Sequence, residues 1–309
     1  MLETAVRETQ QRDTSASADR VWSLLSSSGA WALRPGCLAF DVEASTGPHR
    51  LMFVIGPGAD GVSCEVWRAV EEQPGRLIRW QCLSTARSRS HAVTLAVLTA
   101  GSGTMASIDV TGFIRRGRAG SARRRLSQEV RAWLDAVHAV LEGHVPWPAT
   151  GIPVGSARGR VEFPVIRIPQ RVSASVLINA TPEVVWEHIC APESMVRDEP
   201  TTLYAGYVPG SPHREAGEMQ YVVHQEPDGR LTGDVIVVED IADQRRALVR
   251  QVGFPYSQID HLVTAEGNGT RLQLTSIVSA DVLQDRGKLA RHMSSQANKF
   301  KKHIEQPGR

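Results

Sequence analysis

Two periods alternate along this chain. From Gln170 to Ile178, Val172, Ala174 and Val176 alternate with polar neighbours, the two-residue repeat of a strand with one buried face. Further extended segments follow around Leu203–Val208, Glu218–His224, Gly233–Glu239, Ala247–Val252, Gln258–Ala265 and Thr270–Val278. Pro227-Asp228-Gly229 and Gly267-Asn268-Gly269 supply hairpin punctuation between them. Connections this short predict an antiparallel meander. The helical period appears in two places: Leu126, Val130, Trp133, Leu134, Val137, Val140 and Leu141 form one apolar stripe, and Leu289, Met293, Ala297, Phe300 and Ile304 another. A helix with one apolar stripe and a sheet with one apolar face must bury against each other.

The pattern occurs twice. Ala16-Ser17-Ala18-Asp19-Arg20-Val21-Trp22 is echoed by Ala180-Thr181-Pro182-Glu183-Val184-Val185-Trp186, each a Ser or Thr cap, an acidic first turn and an apolar pair ending in Trp. Pro182 sits where a first-turn proline is tolerated. Trp22, Trp186 and Trp133 are expected as core anchors. With 309 residues and 41% hydrophobic composition, the chain can bury two ordinary cores. Pro146, Pro148, Gly151, Pro153, Gly155, Ser156 and Gly159 read as the linker. The expected domains are residues 1–145 and 166–309, joined by 146–165.

Strand, short helices, meander and long terminal helix, with the A-[ST]-x-[DE]-x-V-W helix start and the hairpin Glu266-Gly267-Asn268-Gly269-Thr270-Arg271-Leu272, resemble the START-like SRPBCC superfamily. The second half matches better than the first. That superfamily includes pollen-allergen-like lipid carriers and polyketide cyclases. The resemblance implies an α+β fold of two tandem helix-grip domains, each a curved antiparallel sheet around a long C-terminal helix with two short helices after the first strand. It also implies a cavity between sheet and helix for sterols, lipids or polyketides. Two copies in one chain look like the di-domain aromatase/cyclases of bacterial aromatic polyketide pathways.

Strand parity selects candidate residues. Leu272 and Leu274 define an inward face shared by Ser276 and Val278; across the turn Ile259, His261 and Val263 should join it. Leu248, Arg250 and Val252 are taken as inward on the preceding strand, and Tyr221 joins the set if Met219, Tyr221 and Val223 face inward on an earlier one. Aldol cyclisation needs a base for the proton next to a carbonyl and a donor for the enolate oxygen, roles that His261 and Arg250 would fill, with Tyr221, Ser276 and Tyr256 as ligand contacts. The plainer reading is a hydrogen-bonded core histidine and an arginine reaching water. In the first half Ile78, Trp80 and Cys82 form an apolar inward set, so that half looks dry; Arg79 and His91 are its polar candidates.

Charge alters this little. Thirty-five basic residues balance 33 acidic ones, which argues against nucleic acid as a partner. The local run Arg115, Arg116, Arg118, Arg123, Arg124 and Arg125 could dock an acidic acyl carrier protein. The motifs G-x-S-x-G and H-E-x-x-H, phosphate loops and dinucleotide fingerprints do not occur, so no metal or other cofactor is expected. His292 and His303 share a helix face without a sequence neighbour to complete a metal set. Cys37, Cys64, Cys82 and Cys190 lack metal spacing, and neither a leader nor a run of about 18 apolar residues is found, so a cytoplasmic protein with no membrane span is expected. The expected function is binding of a hydrophobic, polyketide-like molecule with cyclisation or aromatisation of it, the second domain holding the main cavity. The alternative is a non-catalytic carrier or a protein-interaction module, for which the cavity would be filled by side chains.

Overall fold

The structure is a computed structural model that describes residues 3–42, 50–58, 61–84, 91–100, 103–115, 119–147, 166, 168–251, 257–280, 283 and 285–306. Most of the expected linker, residues 148–165, lies outside them. The chain divides into two compact units, each with one seven-stranded antiparallel sheet.

The first unit runs β1 (Glu3–Thr14), α1 (Ala18–Leu25), α2 (Ser28–Ala32), β2 (Leu38–Asp41), β3 (Leu51–Gly58), β4 (Gly61–Gln73), β5 (Leu77–Cys82), β6 (Ala92–Ala100), β7 (Gly103–Arg115) and α3 (Ala119–Leu141). Strands β2 to β7 form the meander, and β1 closes its far side against β7, from Glu3 opposite Arg115 to Thr14 opposite Thr104. Ser17 caps α1 by accepting from the Arg20 backbone N–H. Ile78, Trp80 and Cys82 do face inward, beside Val93, Leu95 and Val97 of β6 and Ala106 and Ile108 of β7. Helix α3 covers this face with Val130, Trp133, Leu134, Val137, Val140 and Leu141, all buried. Polar ties fix it to β1: Ser127 Oγ donates to Glu8 Oε1 at 2.8 Å, and Glu142 accepts from Thr14 Oγ1 at 2.6 Å and from the Ser15 backbone N–H at 2.8 Å. Four tryptophans meet at the centre, with Trp31 4.8 Å from Trp67, 5.2 Å from Trp133 and 6.1 Å from Trp80 between ring centres. Trp133 Nε1 donates to the Ala30 carbonyl at 2.6 Å, so α2 and α3 are pinned by both packing and a buried hydrogen bond.

The second unit repeats the plan with β8 (Pro169–Ile178), α4 (Pro182–Cys190), α5 (Pro192–Asp198), β9 (Thr202–Tyr207), β10 (Met219–Gln225), β11 (Leu231–Ala242), β12 (Arg246–Gln251), β13 (Ser257–Glu266), β14 (Gly269–Ser279) and α6 (Arg286–Glu305). Strand β8 closes the sheet against β14. Gly229 and Gly267 adopt positive φ at the two expected turns, 80° and 58°, which glycine enters without a Cβ penalty. Thr181 occupies the cap position of α4, though its side chain makes no capping bond.

Register corrects two face assignments. His261 lies opposite Leu274 and Ala247, so the inward residues of β12 are Ala247 and Val249, while Arg250 lies opposite Gln258 on the other face. Arg250 Nε donates to Glu239 Oε1 at 2.6 Å, and Gln258 donates to the other oxygen of that carboxylate. Ala247, Leu248 and Val249 are consecutive apolar residues, so parity alone could not choose between faces; the ladder with β13 does. Glu239 itself is the extra residue of a bulge between Val238 and Asp240, which turns its carboxylate to the outer side. On β10, Gln220 Nε2 reaches the Cys190 carbonyl at the end of α4, so Gln220 faces the helices and Tyr221 faces away. Tyr221 is buried, its ring lying over Gly206 of β9, where a Cβ would stand 3.0 Å from the hydroxyl. Val252, the third residue expected with Arg250, lies outside the described residues.

Candidate ligand-binding site

A cavity of about 240 Å³ opens between the sheet and the first half of α3 in the first unit. Trp67, Val93 and Val110 line it from the sheet, Leu126, Val130 and Trp133 from the helix, and Val6 from β1. The expectation that this half is dry is therefore corrected: its central strands are apolar, but the open ends of β4 and β6 bring Glu65 and His91 to the cavity, where Arg34, Arg125 and Glu129 join them.

The charged groups are mostly committed to each other. Arg34 places Nε 2.8 Å and Nη2 2.7 Å from Glu129 Oε1, with Nη1 3.9 Å from Glu65 Oε2. Trp67 Nε1 donates to Glu65 at 3.0 Å. Burial opposes the Arg34 charge, but Cys37, Glu129 and Glu65 around it more than offset this and hold its pKa above the ordinary value. Burial also pushes the Cys37 thiol up to about 11, so it is an uncharged thiol.

His91 is different. Its strand parity matches Val93, so the ring points to the cavity and packs on Gly112, where a Cβ would stand 3.2 Å from Cδ2. Among the described residues the imidazole has no hydrogen-bond partner. Burial lowers its pKa, with Glu65 opposing the shift and Arg34 reinforcing it, so the neutral ring is favoured. Arg125 stands exposed on the cavity rim, likewise without a partner among the described residues.

The other candidates are scattered. Arg79 is exposed on β5, opposite in parity to Ile78 and Trp80, and so lies off the cavity side. His261 and Ser276 face the interior of the second unit and are buried, Ser276 lying opposite Ile259 and Val172. Burial pushes the His261 pKa down to about 4, with the Ala247 backbone opposing, and its Nδ1 finds no hydrogen-bond partner among the described residues. Arg250 and His261 thus share no space. Tyr256, Arg116 and Arg118 lie outside the described residues, and Arg115 ends β7 opposite Glu3.

Sequence reasoning missed two constellations. Arg125, Glu129 and Trp133 recur every fourth residue beside the apolar stripe of α3, a signal that could have marked Glu129 as interior; nothing in the sequence joins Arg34 or Glu65 to it. In the second unit the buried Asp198 at the end of α5 lies 3.0 Å from His188 Nε2 on α4 and 2.7 Å from His303 Nδ1 on α6. Phe300 stands edge-on to both His188, at 5.7 Å, and His261, at 6.4 Å. Among the described residues no group of three His, Cys, Asp or Glu is arranged to hold a metal ion.

No protein-family model and no curated protein sequence matches the chain. Among solved structures, it is similar to the di-domain ARO/CYC BexL from the BE-7585A biosynthetic pathway, with 15% identity over 97% of this chain and 99% of that one at a TM-score of 0.37. The di-domain ARO/CYC StfQ from the steffimycin biosynthetic pathway is 13% identical over 97% of this chain and 98% of that one, at 0.37. DynU16, a protein of the dynemicin biosynthetic locus, is 13% identical over 96% and 98%, at 0.34. Among the described residues no helix is long and apolar enough to cross a membrane.

Proposed function

We propose that the chain binds a hydrophobic, polyketide-like small molecule in the cavity of its first unit, a domain of the helix-grip kind, and that it cyclises or aromatises that molecule with His91 as the base. The observation that carries this reading is the imidazole of His91, without a hydrogen-bond partner among the described residues, inside a cavity whose walls are mostly apolar and whose carboxylates are already tied to Arg34 and Trp67. A ring held neutral by burial is a proton acceptor at pH 7, which is what removal of a proton next to a carbonyl requires. An interaction module would fill this space with side chains; a cavity of about 240 Å³ favours ligand binding instead. The exposed Arg123 and Arg124 at the start of α3 would suit an acidic carrier protein delivering the substrate.

The test is a titration of the full chain with hydroxylated aromatic probes of one to three rings, read by tryptophan fluorescence, for wild type and His91→Gln. Saturable binding by at least one probe, weakened in the variant, supports the reading. A protein that takes up none of them and co-purifies with no ligand in native mass spectrometry refutes it.

A further inference from the structure

Size, wall chemistry and the two uncommitted polar groups together define the ligand more narrowly. An apolar cavity of roughly 150 Å³ accepts benzene, about 25 Å³ for each non-hydrogen atom, so a space of about 240 Å³ encloses about ten such atoms. That is one ring with a short substituent. Trp67 on the sheet wall and Trp133 on the helix wall offer aromatic surface to such a ring.

Charge narrows the choice again. Glu129 is engaged by Arg34, and Glu65 by Trp67 with Arg34 nearby, so among the described residues a cationic ligand finds no uncommitted anion. Arg125 on the rim is a cation without a partner among the described residues, and His91 within the cavity is a neutral imidazole without one. An anion at the rim and a hydroxyl inside match the two. We infer that the first-unit cavity takes a single-ring hydroxylated aromatic carboxylate, its ring between Trp67 and Trp133, its hydroxyl on His91 and its acid group on Arg125. This rests on the reading of that cavity as the ligand site.

The probes are 4-hydroxybenzoate, its methyl ester, 6-hydroxy-2-naphthoate and 1,8-dihydroxyanthraquinone, titrated into the full chain and its Arg125→Gln variant by calorimetry. The acid should bind saturably and more tightly than the other three. Because Arg125 is exposed, its ion pair is worth at most about fivefold in Kd, and the variant should lose that factor for the acid while leaving the ester unchanged. Tighter binding of the naphthoate or the anthraquinone would overturn the one-ring assignment and leave the cavity standing as the site. Equal affinity for acid and ester in the wild type would overturn the assignment of Arg125. Binding of none of the four, together with failure of the wider probe series, would remove the site itself.

Discussion

Acidification should destabilise the second unit through His261 in a way that one substitution removes. The ring is buried on the inner face of β13 with Phe300 of α6 edge-on to it, and burial lowers its pKa from 6.5 to about 4. The unfolded chain therefore takes up a proton near 6.5 that the folded chain refuses until about 4. Stability is complete above 6.5, falls as the pH drops from 6.5 to about 4, and levels off below. One proton corresponds to about 1.4 kcal/mol per pH unit, so the whole window is worth about 3 kcal/mol, an order-of-magnitude figure. The assay is urea unfolding of the full chain at a series of pH values, the second unit being read from amide exchange in peptides of the β13–β14 hairpin. Wild type should lose stability more steeply than His261→Leu, the difference in slope approaching one proton. The substitution also removes the unpartnered Nδ1, so the variant should match or exceed wild type at low pH. Parallel slopes for the two proteins between pH 6 and 4.5 would refute the argument, because a protein that charges His261 freely has not desolvated it.

Other outcomes follow from the same contacts. Gly112→Ala puts a methyl group 3.2 Å from His91 Cδ2, so the ring must give by a few tenths of an ångström; the imidazole resonances of His91 should move and probe affinity should fall, with under ~1 kcal/mol lost from stability. Trp133→Ala removes a buried ring and its hydrogen bond to Ala30, costing ~4 kcal/mol, seen as a lower thermal midpoint for the first unit. Asp198→Ala leaves His188 and His303 without their shared carboxylate and should cost ~3 kcal/mol in the second unit, measured by urea unfolding. Arg250→Ala breaks the pairing with Glu239 on the outer side of the sheet, so probe binding should stay within about twofold of wild type while stability falls by ~1 kcal/mol.

The sequence revealed the fold more fully than the site, for a physical reason. Apolar periodicity reports burial on one face, and it located the α3 and α6 stripes, the inward set Ile259–His261–Val263 and the hairpin at Gly267 because burial is what shapes those segments. It misplaced Arg250 and Tyr221. In β12 both parities carry apolar residues, and in β10 Met219, Gln220, Tyr221, Val222 and Val223 are all buried, so alternation carries no information there. The cavity was less legible still. It exists where the apolar pattern of the first sheet gives way to His91 and Glu65 at strand ends, and Arg34 enters from the segment after α2, more than 90 residues from its partner Glu129. Contacts at that separation leave no local periodic trace. The echo of Arg125, Glu129 and Trp133 on α3 is the exception, because helical spacing made it visible.

The central claim is that the ligand sits in the first unit, and fluorine NMR of the full chain with 5-fluorotryptophan tests it most directly. Of the seven tryptophans, Trp67 and Trp133 line the cavity, while Trp186 belongs to the core of the second unit. On titration with a probe that binds, the Trp67 and Trp133 resonances should shift saturably and together, with Trp186 unmoved. A saturable shift of Trp186 alone would place the ligand in the second unit and contradict the account.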